Sequence, residues 1–303
     1  MAAATIHLPL RVGRRTVARL RRRLVRVPMS LNEALDGKAP PLPPLDASTD
    51  GYLITGLPAS SLDSVERMRP ELKPFLRQRY SRWHVELGRS FDDYLGTFSG
   101  KSRSTLKRKL RRFAERSGGS IDVRCYRRED EVEQFYQGAR AVSALSYQER
   151  LLDAGLPEGP EALARMRALA AQDQMRGWLL FLDGEPISYL YAPAEGVTLI
   201  YAHLGYDPDH ADLSPGTVLQ LEALRMLMDE QSFERFDFTE GEGQHKRQFA
   251  TGSLECVDLL LLRRNASNLI AGHVLAGFDR AVAIVKRAVK GAGLDEAVRS
   301  RLQ

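Results

Sequence analysis

The residues best suited to move protons cluster just after a predicted strand. Glu240 and Glu242 flank a glycine, and His245 follows three residues after the second of them. Carboxylates and imidazoles serve as general acids and bases because protein surroundings can bring their pKa values near the working pH. His203, within another predicted strand, is a fourth candidate. We predict catalytic roles for these four residues; the alternatives are solvated loop carboxylates and a structural strand histidine.

A second segment, Ser214-Pro215-Gly216-Thr217, has the composition of an anion-binding helix start. Proline is frequent at the first helical position. Helix N-termini leave backbone N–H groups unpaired and carry a partial positive charge. Gly216 leaves room for a diphosphate, and the two hydroxyls are further donors. We predict that these four residues bind the cofactor; the alternative is an ordinary helix cap.

Lys246 and Arg247 follow the proton-transfer candidates. They are predicted either to contact a nucleotide phosphate or to cap a short helix. Other classes of site lack a signal: the chain has no Gly-x-Ser-x-Gly, Cys-x-x-Cys or His-x-x-x-His motif and no P-loop spacing. We therefore expect no metal. With only two distant cysteines and no long apolar run, we expect a cytoplasmic protein.

Positive charge is concentrated in three segments, although the whole chain carries only +5. Residues 1–30 contain eight arginines and no acid. Residues 101–128 carry eleven basic residues against two acids, and residues 263–303 carry eight against three. Such segregation favours an anionic partner. For the N-terminal segment, a solvated tail and an organellar presequence are the alternatives.

Periodicity and turn residues predict an α/β fold of the mixed α+β kind, in four parts. Residues 1–50 are predicted to be a basic arm, helical over Thr16 to Val27, and a Pro-rich linker, with the ordered body starting near Tyr52. Residues 51–175 form an N-terminal lobe, 176–264 a donor-binding lobe and 265–303 a basic amphipathic helix. From Gly177 the sequence predicts a hairpin of two strands around the Asp183-Gly184 turn, a third strand over Val197 to Tyr206, a loop and a helix over Pro215 to Glu230. A strand, a short helix and a last strand follow, an order that differs from a Rossmann pattern.

Together these segments resemble the CelD-like branch of the GNAT acyltransferase superfamily, which is related to the Fem-type aminoacyl transferases. The resemblance covers roughly residues 80–262, including the basic helix Ser104 to Arg112. It rests on an ordered set of short motifs: Asp183-Gly184-Glu185-Pro186-Ile187, Tyr206-Asp207-Pro208-Asp209, Ser214-Pro215-Gly216, Phe236-Asp237-Phe238, Gly241 and Lys246-Arg247-Gln248-Phe249. Where relatives commonly have Tyr-Lys after the glycine, this chain has His245-Lys246.

The resemblance implies a GNAT-like fold in which two strands splay apart to admit the thioester arm of acyl-CoA. It places the pyrophosphate on the helix that begins at residues 214–216, and the strand Val197 to Leu204 beside the pantetheine. Fem-type relatives fuse two such lobes, and residues 51–175 are the candidate for a degenerate first lobe. We expect an N-acyltransferase with acyl-CoA as its donor.

The C-terminal segment repeats apolar residues at spacings of four, four, four, three and four: Ile270, Val274, Phe278, Val282, Val285 and Val289. This is one helical face, and basic residues lie elsewhere on the helix. Such a helix can bind an anionic membrane surface, and packing on the protein body is the alternative.

From the charge and the resemblance we expect a peripheral enzyme on the inner face of a membrane. Its acceptor amine is expected to be lipid-like, such as a sphingoid base, or part of a polysaccharide precursor. Two alternatives stay open. One is a Fem-like transferase whose donor is aminoacyl-tRNA, held by the basic helix within residues 101–116. The other is a non-catalytic nucleic-acid-binding or membrane-binding protein on a GNAT scaffold.

Overall fold

The computed structural model describes residues 3–12, 15–146, 155–240 and 243–291. Strands and helices follow one another in a mixed α+β order, which confirms the predicted fold class. In chain order the described elements are β1 (Ala3–Val12), β2 (Arg15–Pro28), α1 (Leu31–Leu35), β3 (Gly51–Pro58), α2 (Leu62–Met68), β4 (Leu72–Glu86), α3 (Phe91–Gly96), α4 (Gly100–Arg116), β5 (Asp122–Tyr126), α5 (Val132–Leu145), α6 (Pro160–Ala170), β6 (Met175–Leu182), β7 (Glu185–Glu195), β8 (Thr198–Ile200), β9 (His203–Tyr206), α7 (Pro215–Glu230), β10 (Arg235–Asp237), α8 (Gln244–Phe249), β11 (Gly252–Arg263) and α9 (Ala266–Gly291).

The chain divides into two compact units. Unit 1 contains residues 1–82, 240–242 and 253–303, and unit 2 contains residues 83–239 and 243–252. The lobe boundaries after residues 50, 175 and 264 stay predictions.

The Arg-rich N-terminal segment of unit 1 is a β-hairpin. β1 and β2 pair antiparallel, and β2 then pairs in parallel with β3. The predictions of a helix over Thr16 to Val27 and of an ordered body that starts near Tyr52 are therefore wrong. The physical reason lies in β1, where Ile6, Leu8 and Leu10 are buried at every second position. A two-residue period suits a strand and not a helix, and β1 then supplies the hydrogen-bonding partner of β2.

The sheet of unit 1 has the strand order β1-β2-β3-β11, followed by residues 72–82 of β4. One face packs on α2 through a core that includes Val25, Ile54, Val65 and Val257. The other face packs on α9 through Leu260 and Leu275. This second face also carries a polar cavity.

The predicted apolar face of α9 is only partly correct. Three of its members are exposed: Ile270, Val274 and Val285. The helix instead buries Ala271 and Leu275, because it carries two apolar stripes and periodicity alone cannot decide which one packs. Val289 lies beyond the described side chains.

The sheet of unit 2 runs from residues 83–86 of β4 through β10, β8, β7 and β6 to β5, and β9 also pairs with β7. All its pairings are antiparallel except that of β10 with β8. α3, α4 and α7 cover one face through a core around Trp178 and Leu224, and α5 and α6 cover the other around Phe135 and Tyr189. Every residue of β6 is buried, as expected for a strand between two helical layers.

Candidate functional site

Two neighbouring strands of unit 2 separate at the end of β8. β8 pairs with β10 only over residues 198–200. The N–H of Tyr201 still donates to the carbonyl of Asp237 at 2.8 Å, whereas the next N–H, that of Ala202, donates to Tyr191 at 3.2 Å. β9 then continues along β7. The single strand predicted for Val197 to Tyr206 is thus two strands, and the break opens a gap between β9 and β10.

α7 begins against β9. A Cβ atom at Gly216 would lie 3.1 Å from Leu204 Cδ2 and 3.4 Å from Tyr206 Cδ1. This spacing leaves little room for a side chain at this position. Ser214 adopts the left-handed conformation with φ of 56° and makes no side-chain cap hydrogen bond. Its carbonyl accepts the N–H groups of Thr217 and Val218 instead. The Ser214 hydroxyl is therefore not used in capping α7, although the residue stands at the cap position.

α4 places an ammonium group at this helix start. Lys109 Nζ lies 3.3 Å from the hydroxyl oxygen of Thr217. Removal from water, followed by the charge of Arg108, lowers the pKa of Lys109. Among the described residues no acid forms an ion pair with it. A desolvated cation beside a helix N-terminus favours an anion there. The sequence prediction missed Lys109, and the basic helix that the resemblance included was the available signal.

His245, on α8, lies next to an aromatic cluster at the strand break. Its ring centroid is 6.2 Å from that of Tyr201, which is 5.5 Å from that of Phe238. His245 is an exposed residue; partial desolvation, followed by the charge of Lys246, lowers its pKa, so its neutral form is favoured at neutral pH. Burial raises the pKa of Tyr201. Tyr201 thus joins the candidate residues; as a strand aromatic it gave no signal in the sequence.

Two other predicted cofactor contacts differ in their surroundings. Lys246 Nζ donates to the carbonyl oxygen of Phe238 at 2.6 Å, which ties α8 to the end of β10. Arg247 is exposed. The structure therefore gives Lys246 an anchoring contact and leaves Arg247 accessible to an anion.

A buried carboxylate marks the end of β10. Asp237 has no exposed surface, and one of its oxygens accepts the N–H of Thr239 at 2.7 Å. Directly opposite it in the antiparallel β10–β4 pair stands His84, also buried. His84 Nε2 lies 3.3 Å from a carboxylate oxygen of Glu86. These contacts hold Asp237 in place at the end of β10. Neither Asp237 nor His84 was predicted as a site residue from the sequence.

The side chain of His203 lies on the face of β9 opposite to the one that packs on α7. Its ring stacks on Tyr191 with centroids 6.4 Å apart and an interplanar angle of 16°, and Tyr191 belongs to the core beneath α5. The next residue, Leu204, belongs to the core beneath α7. Because successive strand side chains point to opposite faces, the structure does not bring His203 to the start of α7.

Of the two predicted glutamates, the structure describes Glu240, which belongs to unit 1. Glu240 is exposed, and one of its carboxylate oxygens accepts from Gln78 Nε2 at 2.6 Å. Glu242 and Gly241 lie outside the described residues. In the part of the chain that the structure describes, no group of three or more His, Cys, Asp or Glu is placed to hold a metal ion. No described helix is long and apolar enough to cross a membrane.

Fold and site together define a GNAT-type acyltransferase fold: a splayed strand pair, with the start of a helix packed against one of the two strands. More particularly, residues 100–247 match a family model described as an acetyltransferase (GNAT) domain, which confirms the predicted GNAT superfamily, whereas the CelD-like branch stays a prediction. A sequence comparison with curated proteins found no match.

Solved structures share the fold at low identity. The structure of FemX has 12% identity and a TM-score of 0.57, with 89% of this chain and 90% of that chain covered. The C-terminal domain assigned to a lysylphosphatidylglycerol synthetase of Agrobacterium fabrum has 13% identity and a TM-score of 0.51, with 78% and 73% covered. At these identities the likeness shows the fold alone.

Proposed function

We propose that this protein transfers an acyl group from acyl-CoA to an amine. The observation that carries the proposal is Lys109, a desolvated ammonium without an acidic partner among the described residues, beside Thr217 at the start of α7. A helix N-terminus and a nearby cation are both suited to bind a pyrophosphate. Ser214, Pro215, Gly216 and Thr217 would form this site, with Arg247 available to the nucleotide phosphate.

In the proposed reaction the thioester lies in the gap between β9 and β10. The amine attacks the thioester carbon in its neutral form, after an ammonium has given one proton to water; the carbon–sulfur bond breaks, and an amide forms. Neutral His245 accepts the proton that the attacking nitrogen loses, and returns a proton to the thiolate to give free CoA. The lowered pKa of His245 suits the first of these steps.

We further propose that the acceptor is lipid-like and that the enzyme works at an anionic membrane surface. Four exposed apolar residues of α9 support this: Ile270, Val274, Ile284 and Val285. On a helix their spacing places them on one stripe, which can enter the boundary between lipid headgroups and tails. The fold-related synthetase is named for a product that is an aminoacylated lipid.

A second candidate function has support of its own on α4. A cavity of about 460 Å³ runs along this helix and is lined by Gly100, Arg103, Ser104, Lys107, Arg108 and Arg111. Four of these six side chains are cationic. A row of cations on one helix suits a polyanion such as tRNA, which would make aminoacyl-tRNA the donor.

The first experiment is direct binding of CoA, acetyl-CoA and a long-chain acyl-CoA by calorimetry. Gly216→Glu places bulk against Leu204 and a negative charge at the start of α7, and it should weaken CoA binding roughly 100-fold. Gly96→Glu is the matched control, since that glycine is exposed on α3 and has open space around it.

Loss of binding in the first variant only, with both variants folded, would support the proposed donor site. If folded wild-type protein binds no CoA species, the acyl-CoA proposal is wrong. A gel-shift titration with charged and uncharged tRNA would then test the second candidate. Steep salt dependence and loss of affinity on Arg103→Gln would support it.

A further inference from the structure

Unit 1 contains a large cavity that the proposed donor site does not use. Its volume is about 820 Å³, within the usual range for sites that bind small molecules. It lies on the α9 face of the sheet, where the apolar core gives way to polar side chains. Its lining combines acidic, basic and apolar side chains from β1, β2, β3, β4, β11 and α9.

The floor of the cavity holds a buried carboxylate. Asp258 is 8% exposed. One of its oxygens accepts the N–H of Gly56 at 3.0 Å and faces the Tyr80 hydroxyl at 3.4 Å, and the other accepts from Gln78 Nε2 at 2.7 Å. Burial, followed by the charge of Asp258, raises the pKa of Tyr80, so the phenol remains a donor. All three of these partners of Asp258 are neutral.

The three neutral donors satisfy the oxygens of Asp258 but supply no positive charge to the carboxylate. Among the described residues no Lys, Arg or His forms an ion pair with Asp258. Gln78 Nε2 also donates to Glu240 at 2.6 Å, so one amide joins two carboxylates. Two neighbouring carboxylates favour a cation that carries several N–H donors, and a primary ammonium is such a cation.

The rim of the cavity has the opposite charge. Arg77 is neutralised, because its Nε lies 2.7 Å from a carboxylate oxygen of Asp279. Arg11, Arg26 and Arg79 also line the cavity, and within the described part of the chain no acid forms an ion pair with these three. Guanidinium groups bind phosphate and carboxylate well. Between floor and rim, the walls include apolar side chains such as those of Ile6 and Leu8, both buried.

We propose that this cavity binds the acceptor as a zwitterionic amphiphile, whose primary ammonium lies between Asp258 and Glu240 and whose phosphate or carboxylate contacts Arg11, Arg26 and Arg79. An apolar chain would lie along the apolar lining residues Ile6, Leu8, Leu53 and Val282. Calling this ligand the acceptor rests on the proposed acyltransferase function.

The test measures binding without any acyl donor. Three single-chain probes of equal chain length are titrated by calorimetry below their micelle concentrations. They are a lysophosphatidylethanolamine with both charges, a lysophosphatidylglycerol with the phosphate only, and an alkylamine with the ammonium only. The zwitterion should bind at least tenfold more tightly than either other probe.

Asp258→Asn keeps the shape of the buried side chain and removes its charge. It should lower the affinity for the zwitterion and the alkylamine at least tenfold and leave that for lysophosphatidylglycerol unchanged. Asp63→Asn, at an exposed position of α2 outside the cavity, is the matched control and should change nothing. If Asp258→Asn does not fold, Glu240→Gln, at an exposed position, should still lower ammonium binding severalfold.

Equal binding of the three probes, or unchanged binding in both pocket variants, would overturn the proposal. Because CoA is absent from this titration, its outcome is independent of the donor test. CoA binding without amine binding would refute this cavity and leave the proposed function standing. Amine binding without CoA binding would do the reverse.

Discussion

The start of α7 in unit 2 and the cavity of unit 1 differ in how they hold charge. At α7 the positive groups are a helix N-terminus and Lys109, whose ammonium contacts the hydroxyl of Thr217. In unit 1 the negative group is Asp258, whose two oxygens meet three neutral donors. Lys109 therefore has a hydroxyl neighbour but no anion paired with it among the described residues. Asp258 has its hydrogen bonds satisfied but has no cation paired with it among the described residues.

This difference predicts how much each charged residue contributes to the stability of the fold when no ligand is bound. The donors around Asp258 would be left unpaired if the carboxylate were removed, so Asp258 is expected to stabilise unit 1 as well as to bind. Lys109 has no acidic partner among the described residues, so its removal is expected to affect ligand affinity and not the fold. Two predictions test this contrast, and a third tests the proposed base of the donor site.

The largest effect is expected for Asp258→Leu. The change leaves the buried N–H of Gly56 and the hydroxyl of Tyr80 without their acceptor. We expect the free energy of unfolding to fall by about 2 to 4 kcal/mol. Urea titration followed by circular dichroism measures it. Asp63→Leu at an exposed site is the control; equal losses in the two variants would contradict a structural role for Asp258.

A smaller effect is expected for Lys109→Met, which keeps the length of the side chain and removes the ammonium. Its affinity for CoA should fall about tenfold, or ~1.4 kcal/mol, while the free energy of unfolding stays within about 0.5 kcal/mol of wild type. Lys101→Met, at an exposed position on the same helix, should bind CoA as wild type does. A marked loss of stability in Lys109→Met would remove the contrast between the two sites.

The smallest effect concerns the proton affinity of His245. Its pKa is lowered from 6.5 by desolvation first and by Lys246 second. An NMR titration of the imidazole should therefore give a midpoint below 6.5. Lys246→Gln should move this midpoint upward only in part, because desolvation remains. Since the folded state binds this proton more weakly than the unfolded chain does, the His245 contribution to stability falls as pH drops below about 6.5. A midpoint above the ordinary histidine value would remove the case for His245 as a base.

The donor region was predictable because its information is local. Ser214 to Thr217 lie within four residues, and the predicted helix over residues 215–230 coincides with α7. The Asp183-Gly184 turn likewise led to the correct hairpin of β6 and β7. Turn residues and helix caps affect only the few residues next to them, so they can be recognised in a single sequence.

The unit 1 cavity was not predictable, because its contacts join distant parts of the chain. Gly56 and Gln78 reach Asp258 over 202 and 180 residues. The hydrophobic periodicity of a sequence carries no information about contacts between residues so far apart in the chain. The placement of His203 was not predictable for a related reason: it depends on the break at Tyr201, which in turn depends on the pairing of β8 with β10.

The N-terminal hairpin has a practical consequence for anyone who prepares shortened forms of this protein. An Arg-rich, acid-free segment looks dispensable and is easily removed as a presumed tail. Deleting residues 1–30 would take from β3 its parallel neighbour and uncover core residues such as Ile54. An open strand edge with apolar flanks promotes aggregation. The truncated protein is therefore expected to collect in inclusion bodies, whereas the full chain keeps this edge covered by an arginine-rich strand.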